Sequence, residues 1–207
     1  MKLQLALDGT QEHGLQALRA ARPWVDVVEA GTPLLLREGV AALRCLRAEF
    51  PRMTLLADFK IMDAGDLEAR IAFAAGADQV TALGVAGDTT IAAALAAARN
   101  CGGELLVDLI NVAQPLRRVK QLKALGCDYF CVHRAHDSCG DPVAPLRELR
   151  AALPDLRLAV AGGIDECTIK ALAPYRPDTV IVGSAITGAA QPGLAARRIM
   201  ERMRAHV

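Results

Sequence analysis

The chain has 207 residues, 53% hydrophobic but only 3% aromatic, and its 24 basic and 23 acidic side chains leave a net charge of +1. That balance excludes an electrostatic footprint for nucleic acid, and no stretch of about 18 uncharged apolar residues offers a transmembrane span. The length suits one domain, residues 1–207, and the abundance of Ala, Leu and Val suits closely packed helix-on-strand layers.

The first apolar run, residues 3–7, closes on Asp8. It lacks the long core of a signal peptide, so a cytoplasmic chain is expected. The following Asp8-Gly9-Thr10 carries no G-x-G-x-x-G, which argues against an open dinucleotide-binding sheet. The second run, residues 25–30, carries Glu29 near its end, and the third, residues 54–59, leads into Asp58-Phe59-Lys60-Ile61-Met62-Asp63. Residues two apart on a strand share a face, so Asp58 and Lys60 are predicted to point the same way. A lysine flanked by Asp58 and Asp63 should stay protonated, because opposite charges favour the charged form. Further strands are predicted over 79–83, 105–109 with Asp108, 129–133 ending at His133, 158–161 before Gly162-Gly163, and 179–182 before Gly183-Ser184.

Helical spacing of apolar residues predicts helices over 41–50, 67–75, 89–99, 115–125, 143–153, 168–173 and 193–204. Gly76 and Gly126 sit between a helix and the next strand, where a left-handed residue ends a helix. Strands alternating with helices at this spacing describe an α/β chain folded as a (β/α)8 TIM barrel. The six cysteines form no C-x-x-C pair and no zinc spacing. They are expected to be mostly buried small hydrophobes in a reducing compartment, with Cys139 in a polar loop the candidate reactive thiol.

In such a barrel, chemistry lies at the C-terminal strand ends. In order these carry Asp8, Glu29, Asp58 with Lys60, Asp108, His133, Gly162-Gly163 and Gly183-Ser184. Glu29 and Asp58 end neighbouring strands and could hold a hard divalent cation such as Mg²⁺. With four histidines in all, a His-rich zinc or iron site is disfavoured. Lys60 could stabilise an oxyanion or form a Schiff base, and His133 is the natural acid/base. Backbone amides in the two glycine turns, Gly163 and Ser184 foremost, can meet a phosphate. These parts suit an enediolate mechanism on a phosphorylated ketose.

The motifs Leu3-Gln4-Leu5-Ala6-Leu7-Asp8, Val28-Glu29-Ala30-Gly31-Thr32-Pro33, Ala57-Asp58-Phe59-Lys60-Ile61-Met62-Asp63-Ala64-Gly65, Val107-Asp108-Leu109-Ile110, Val160-Ala161-Gly162-Gly163-Ile164 and Ile181-Val182-Gly183-Ser184-Ala185-Ile186-Thr187 run from end to end. Together they resemble the orotidine-monophosphate-decarboxylase suprafamily and, within it, the 3-hexulose-6-phosphate synthases. The resemblance implies an aldehyde-lyase that condenses formaldehyde with D-ribulose 5-phosphate, reversibly, with Mg²⁺ (or Mn²⁺). It implies that Glu29 and Asp58 ligate the metal, that Asp8 and Lys60 bond the substrate, and that His133 is the base. Gly163, Gly183 and Ser184 would take the phosphate. Asp63 would reach into a neighbouring subunit's site, so the enzyme would be a homodimer with shared sites.

The related 3-keto-L-gulonate-6-phosphate decarboxylases share the metal and the enediolate and form the alternative. Met62, Asp108-Leu109-Ile110-Asn111 and Ser184 look like the synthases. Arg134 after His133 looks like the decarboxylases, whose second arginine is replaced by His136, so residues 134–141 form the loop where specificity departs from both. A ribulose-phosphate epimerase would want histidines where Glu29 and Asp58 stand. A non-catalytic sugar-phosphate binding module would have little use for Lys60 between carboxylates.

Overall fold

The side chains of the strands sort by parity. On β1 (Lys2–Leu7), Leu3, Leu5 and Leu7 are buried in the layer shared with the helices, while Ala6 joins a separate apolar cluster. The same alternation puts Val27 of β2 (Val27–Ala30), Leu56 of β3 (Thr54–Ile61), Leu106 of β5 (Glu104–Asp108) and Cys131 of β6 (Tyr129–His133) in that inner cluster. With β4 (Gln79–Leu83), β7 (Arg157–Ala161) and β8 (Thr179–Val182) they close one parallel barrel, each strand pairing with its neighbours in sequence and β8 with β1. The computed structural model describes residues 1–138, 141 and 143–205.

The helices are α1 (Gln11–Ala21), α2 (Thr32–Glu38), α3 (Ala41–Glu49), α4 (Gly65–Ala74), α5 (Asp88–Asn100), α6 (Pro115–Ala124), α7 (Val143–Ala152), α8 (Ile169–Leu172), α9 (Ser184–Thr187) and α10 (Pro192–Arg204). The predicted (β/α)8 barrel is thus the fold. Gly76 and Gly126 adopt φ of 101° and 96°, as their place after a helix requires. Among the described residues, no helix is long and apolar enough to cross a membrane.

Three helices, α1, α2 and α9, fall outside the predicted segments. The first turn of α1 is polar, with Thr10 capping the His13 amide, and Gly14 interrupts its apolar face. Both α2 and α9 are too short to display a periodicity. The second strand starts at Val27 rather than residue 25, because Val25 closes a short 3₁₀ turn onto Arg22. Cysteine burial also departs from expectation. Cys127 and Cys131 are buried and Cys45 is partly so, but Cys101, which caps α5, and Cys167, in the turn after β7, are exposed. Cys139 lies outside the described residues.

The third strand carries the main irregularity. Its register against β4 shifts between Ala57 and Ile61, and Lys60 has φ of 49°. A left-handed non-glycine residue costs about 1–2 kcal/mol, so neighbouring contacts must hold it. One is the Lys60 amide, which donates to Thr81 Oγ1 at 2.8 Å.

Candidate active site

The C-terminal mouth of the barrel opens into a cavity of about 850 Å³. Asp8, Glu29, Asp58, Lys60, Asp108 and His133 line one part of it, and Gly162, Gly163, Gly183, Ser184, Arg134 and His136 also line it. Asp63 does not line it; this exposed residue bonds its own neighbour, with Oδ1 accepting from the Ala64 amide at 2.7 Å. A second cavity, about 440 Å³, lies at the opposite end around Tyr129, Arg157 and Asp178. None of the strand-end acids reaches it, and Arg157 is occupied there by Glu104 and the Tyr129 ring.

Lys60 is the hub. Its Nζ lies 2.6 Å from Asp58 Oδ2 and 3.3 Å from Asp108 Oδ2. Burial works to discharge the ammonium, but Asp58 and Asp108 together outweigh it and hold the pKa above the ordinary lysine value. The expected protonated state follows, although its second partner is Asp108 rather than Asp63. The reason is topological: β5 brings Asp108 to the mouth, while Asp63 has already left β3. A charged amine is a poor nucleophile, so the arrangement suits an electrostatic role for Lys60 and not a Schiff base.

Asp108 also accepts from His133 Nδ1 at 2.7 Å and from the Ile110 amide at 2.9 Å. Burial raises its pKa, yet the His133 hydrogen bond and the charges on His133 and Lys60 more than offset this, leaving it below the usual carboxylate value. A carboxylate accepting from Nδ1 leaves Nε2 with the lone pair, which fits His133 for proton transfer into the cavity.

Glu29 and Asp58 come from adjacent strands, where Glu29 pairs with Leu56, two residues before Asp58. Glu29 takes a 2.6 Å hydrogen bond from Gln4, and Asp58 accepts from Thr32 and Thr81, each at 2.8 Å. Burial first and the Asp58 charge second push Glu29 well above the normal carboxylate pKa. Asp8 is raised for the same two reasons, against the pull of Lys60, His133 and Arg37. The acidic end of the cavity thus gathers four carboxyl groups, Asp8, Glu29, Asp58 and Asp108, around one lysine, Lys60. Glu29 and Asp58 are the pair that could hold a hard cation there. Asp108, Cys131 and His133 also bring ligand atoms within 4.8 Å of one another. However, burial and the nearby carboxylates keep the Cys131 thiol protonated, so no thiolate ligand is on offer.

Gln4, Thr32 and Thr81 complete this network and were not among the predicted site residues. Gln4 and Thr81 lie on inward positions, three and two residues before their strand ends, so strand parity was the signal. At the other end, Gly162 and Gly163 have φ of 98° and 67°. A Cβ on Gly162 would fall 2.2 Å from the Arg134 carbonyl oxygen, and one on Gly163 1.7 Å from an Arg134 Nη2. Both glycines are therefore required by conformation and by space.

A parallel barrel with an acid–lysine–histidine cluster opposite a glycine-walled recess defines a class of sugar-phosphate barrel enzymes. Residues 1–199 match the Orotidine 5'-phosphate decarboxylase / HUMPS family, and the chain belongs to that family. Among its relatives, 3-hexulose-6-phosphate synthase 3 of Staphylococcus saprophyticus is 40% identical over 201 residues, covering 95% of this chain and 96% of the relative. The crystal structure of 3-hexulose-6-phosphate synthase from Salmonella typhimurium superposes with a TM-score of 0.97 at 41% identity, covering both chains in full (100% each). The crystal structure of 3-keto-L-gulonate-6-phosphate decarboxylase from Vibrio cholerae gives a TM-score of 0.87 at 29% identity, over 100% of this chain and 98% of that one. The protein is an enzyme of the lyase type.

Proposed function

We propose that the protein condenses formaldehyde with D-ribulose 5-phosphate to give 3-hexulose 6-phosphate, reversibly, as a 3-hexulose-6-phosphate synthase. The observation that carries this is the chain of contacts Asp58–Lys60–Asp108–His133, which sets a permanent cation beside a histidine base in one cavity. The 40% identity to a named synthase, against 29% to a named decarboxylase, favours condensation over decarboxylation.

His133, oriented by Asp108, takes a proton from C1 of the ketose at Nε2. Lys60 donates to the oxygen on which charge develops, and Asp8 orients the sugar hydroxyls. The C1 carbanion equivalent then adds to the carbonyl carbon of formaldehyde, and the new alkoxide takes the proton back from His133. The amides of Gly163, Gly183 and Ser184 receive the phosphate, and that remote binding energy positions the reacting end. Asp108 serves through His133 and Lys60.

The donor set fits Mg²⁺. Glu29 and Asp58 offer only hard oxygens, their mutual repulsion calls for a cation, and the buried Gln4 Oε1 beside Glu29 lacks a partner. When bound, the ion supplies Lewis-acid stabilisation of negative charge on the substrate oxygens. We further propose a homodimer in the cytoplasm, with Asp63 serving the partner's cavity. Exposed Met62, next to Asp63, and exposed Leu67 and Ile71 on α4 supply apolar surface for such an interface.

Incubation with ribulose 5-phosphate, formaldehyde and Mg²⁺ is expected to consume formaldehyde, and EDTA to stop it. CO₂ release from 3-keto-L-gulonate 6-phosphate without formaldehyde consumption would transfer the assignment to the decarboxylase.

A further inference from the structure

Arg134 follows the histidine of β6 directly, and its amide donates to the Ala161 carbonyl at 3.1 Å, at the start of the β7 turn. Its guanidinium lies over Gly163, in space that any Cβ there would occupy. The Nε is buried and has no hydrogen-bond partner. Of the two lysine or arginine side chains that line the cavity, Lys60 is matched by Asp58 and Asp108. Arg134 has no ion-pair partner among the described residues: the nearby Asp165 caps the Cys167 and Thr168 amides, and Asp137 faces His136. A guanidinium held against a glycine turn with a buried, unused donor is costly unless an anion completes it.

We propose that Arg134 is a phosphate ligand of this enzyme, closing with its side chain a recess that the Gly163, Gly183 and Ser184 amides otherwise form alone. This rests on the functional reading above, since the phosphate is that of the sugar. Arginine suits the task because its planar fork meets two phosphoryl oxygens at once. The placement also joins recognition to chemistry. The residue gripping the phosphate is covalently next to His133, so the occupied recess fixes the backbone that carries the base. Arg134 is therefore both a binding residue and, through the backbone of His133, a positioning one.

The test uses titration calorimetry and kinetics on the full chain. Inorganic phosphate and ribulose 5-phosphate are titrated into wild type, Arg134→Ala and Arg134→Lys, a readout that does not need turnover. Both Kd values are expected to rise about 10- to 100-fold in Arg134→Ala and less in Arg134→Lys, the loss of one charge-assisted bidentate contact. In the formaldehyde assay, Arg134→Ala should lose at least about tenfold more kcat/KM toward ribulose 5-phosphate than toward unphosphorylated D-ribulose. A phosphate Kd unchanged in Arg134→Ala would overturn the proposal. So would an equal loss toward ribulose and ribulose 5-phosphate, which marks a purely structural role. Should Arg134→Ala not fold, Arg134→Lys decides alone, and wild-type phosphate affinity there overturns it. A wild type that binds both phosphates through Arg134 but turns nothing over refutes the functional reading and not this one.

Discussion

Asp108 is the residue on which the electrostatics turn, since it bonds both Lys60 and His133 from a nearly dry position. Asp108→Asn removes the acceptor that sets the histidine tautomer, and activity is expected to fall about 10²- to 10⁴-fold, the usual scale of positioned proton transfer. Its pKa in the fold is depressed, so its stabilising effect is complete above the unfolded value of about 3.9 and disappears as pH falls through the folded value. Asp108→Asn should therefore cost about 1–3 kcal/mol in urea unfolding near neutral pH, and the deficit should shrink as pH falls below the unfolded carboxyl value. A deficit independent of pH would show that the carboxylate's charge is irrelevant to stability. Asp8, Glu29, Asp58, Lys60, Asp108 and His133 were all legible in the sequence because each stands within three residues of the C-terminal end of a strand. Thr32 was hidden because it lies in α2, across from Asp58 in space but 26 residues away in the chain.

At the scale of elements, the junctions after β1, β2 and β3 are fitted to one another at atomic contact. Gly31, which caps α2, stands where a Cβ would fall 2.0 Å from Asp8 Oδ1 and 2.9 Å from the Leu7 carbonyl oxygen. Its φ of −66° is open to any residue, so the need for glycine is purely spatial. Gly31→Ala is expected to displace Asp8, lowering kcat/KM about 10- to 100-fold, as misplacements of about 1 Å do, with the circular dichroism spectrum unchanged. Wild-type kcat/KM would mean that Asp8 does not position the sugar. Strand placement was readable because apolar runs of fixed parity are unambiguous. The bulge at Lys60 was not readable, since it arises from the Thr81 hydroxyl of β4 bonding both the Lys60 amide and Asp58.

At the scale of the molecule, the closed barrel gathers acids from β2, β3 and β5 with a histidine from β6, and leaves Asp63 outside on an apolar surface. Shared sites would give Asp63 its use. Lys60→Ala and Asp63→Asn proteins, each inactive alone, are expected to regain up to about a quarter of wild-type activity after subunit exchange, from the heterodimer's one intact site. No recovery in a mixture proven to exchange would refute shared sites. The barrel was legible from eight apolar runs, whereas assembly depends on surface complementarity that no periodicity encodes.

The central claim is that His133 removes a proton from C1 beside a charged Lys60, and isotope exchange tests it most directly. Ribulose 5-phosphate in D₂O with enzyme and Mg²⁺, without formaldehyde, is followed by proton NMR. Deuterium is expected to enter C1 with wild type, slowly with Asp108→Asn and not at all with Lys60→Ala. A wild type that consumes formaldehyde yet never exchanges C1 when formaldehyde is withheld would contradict the account.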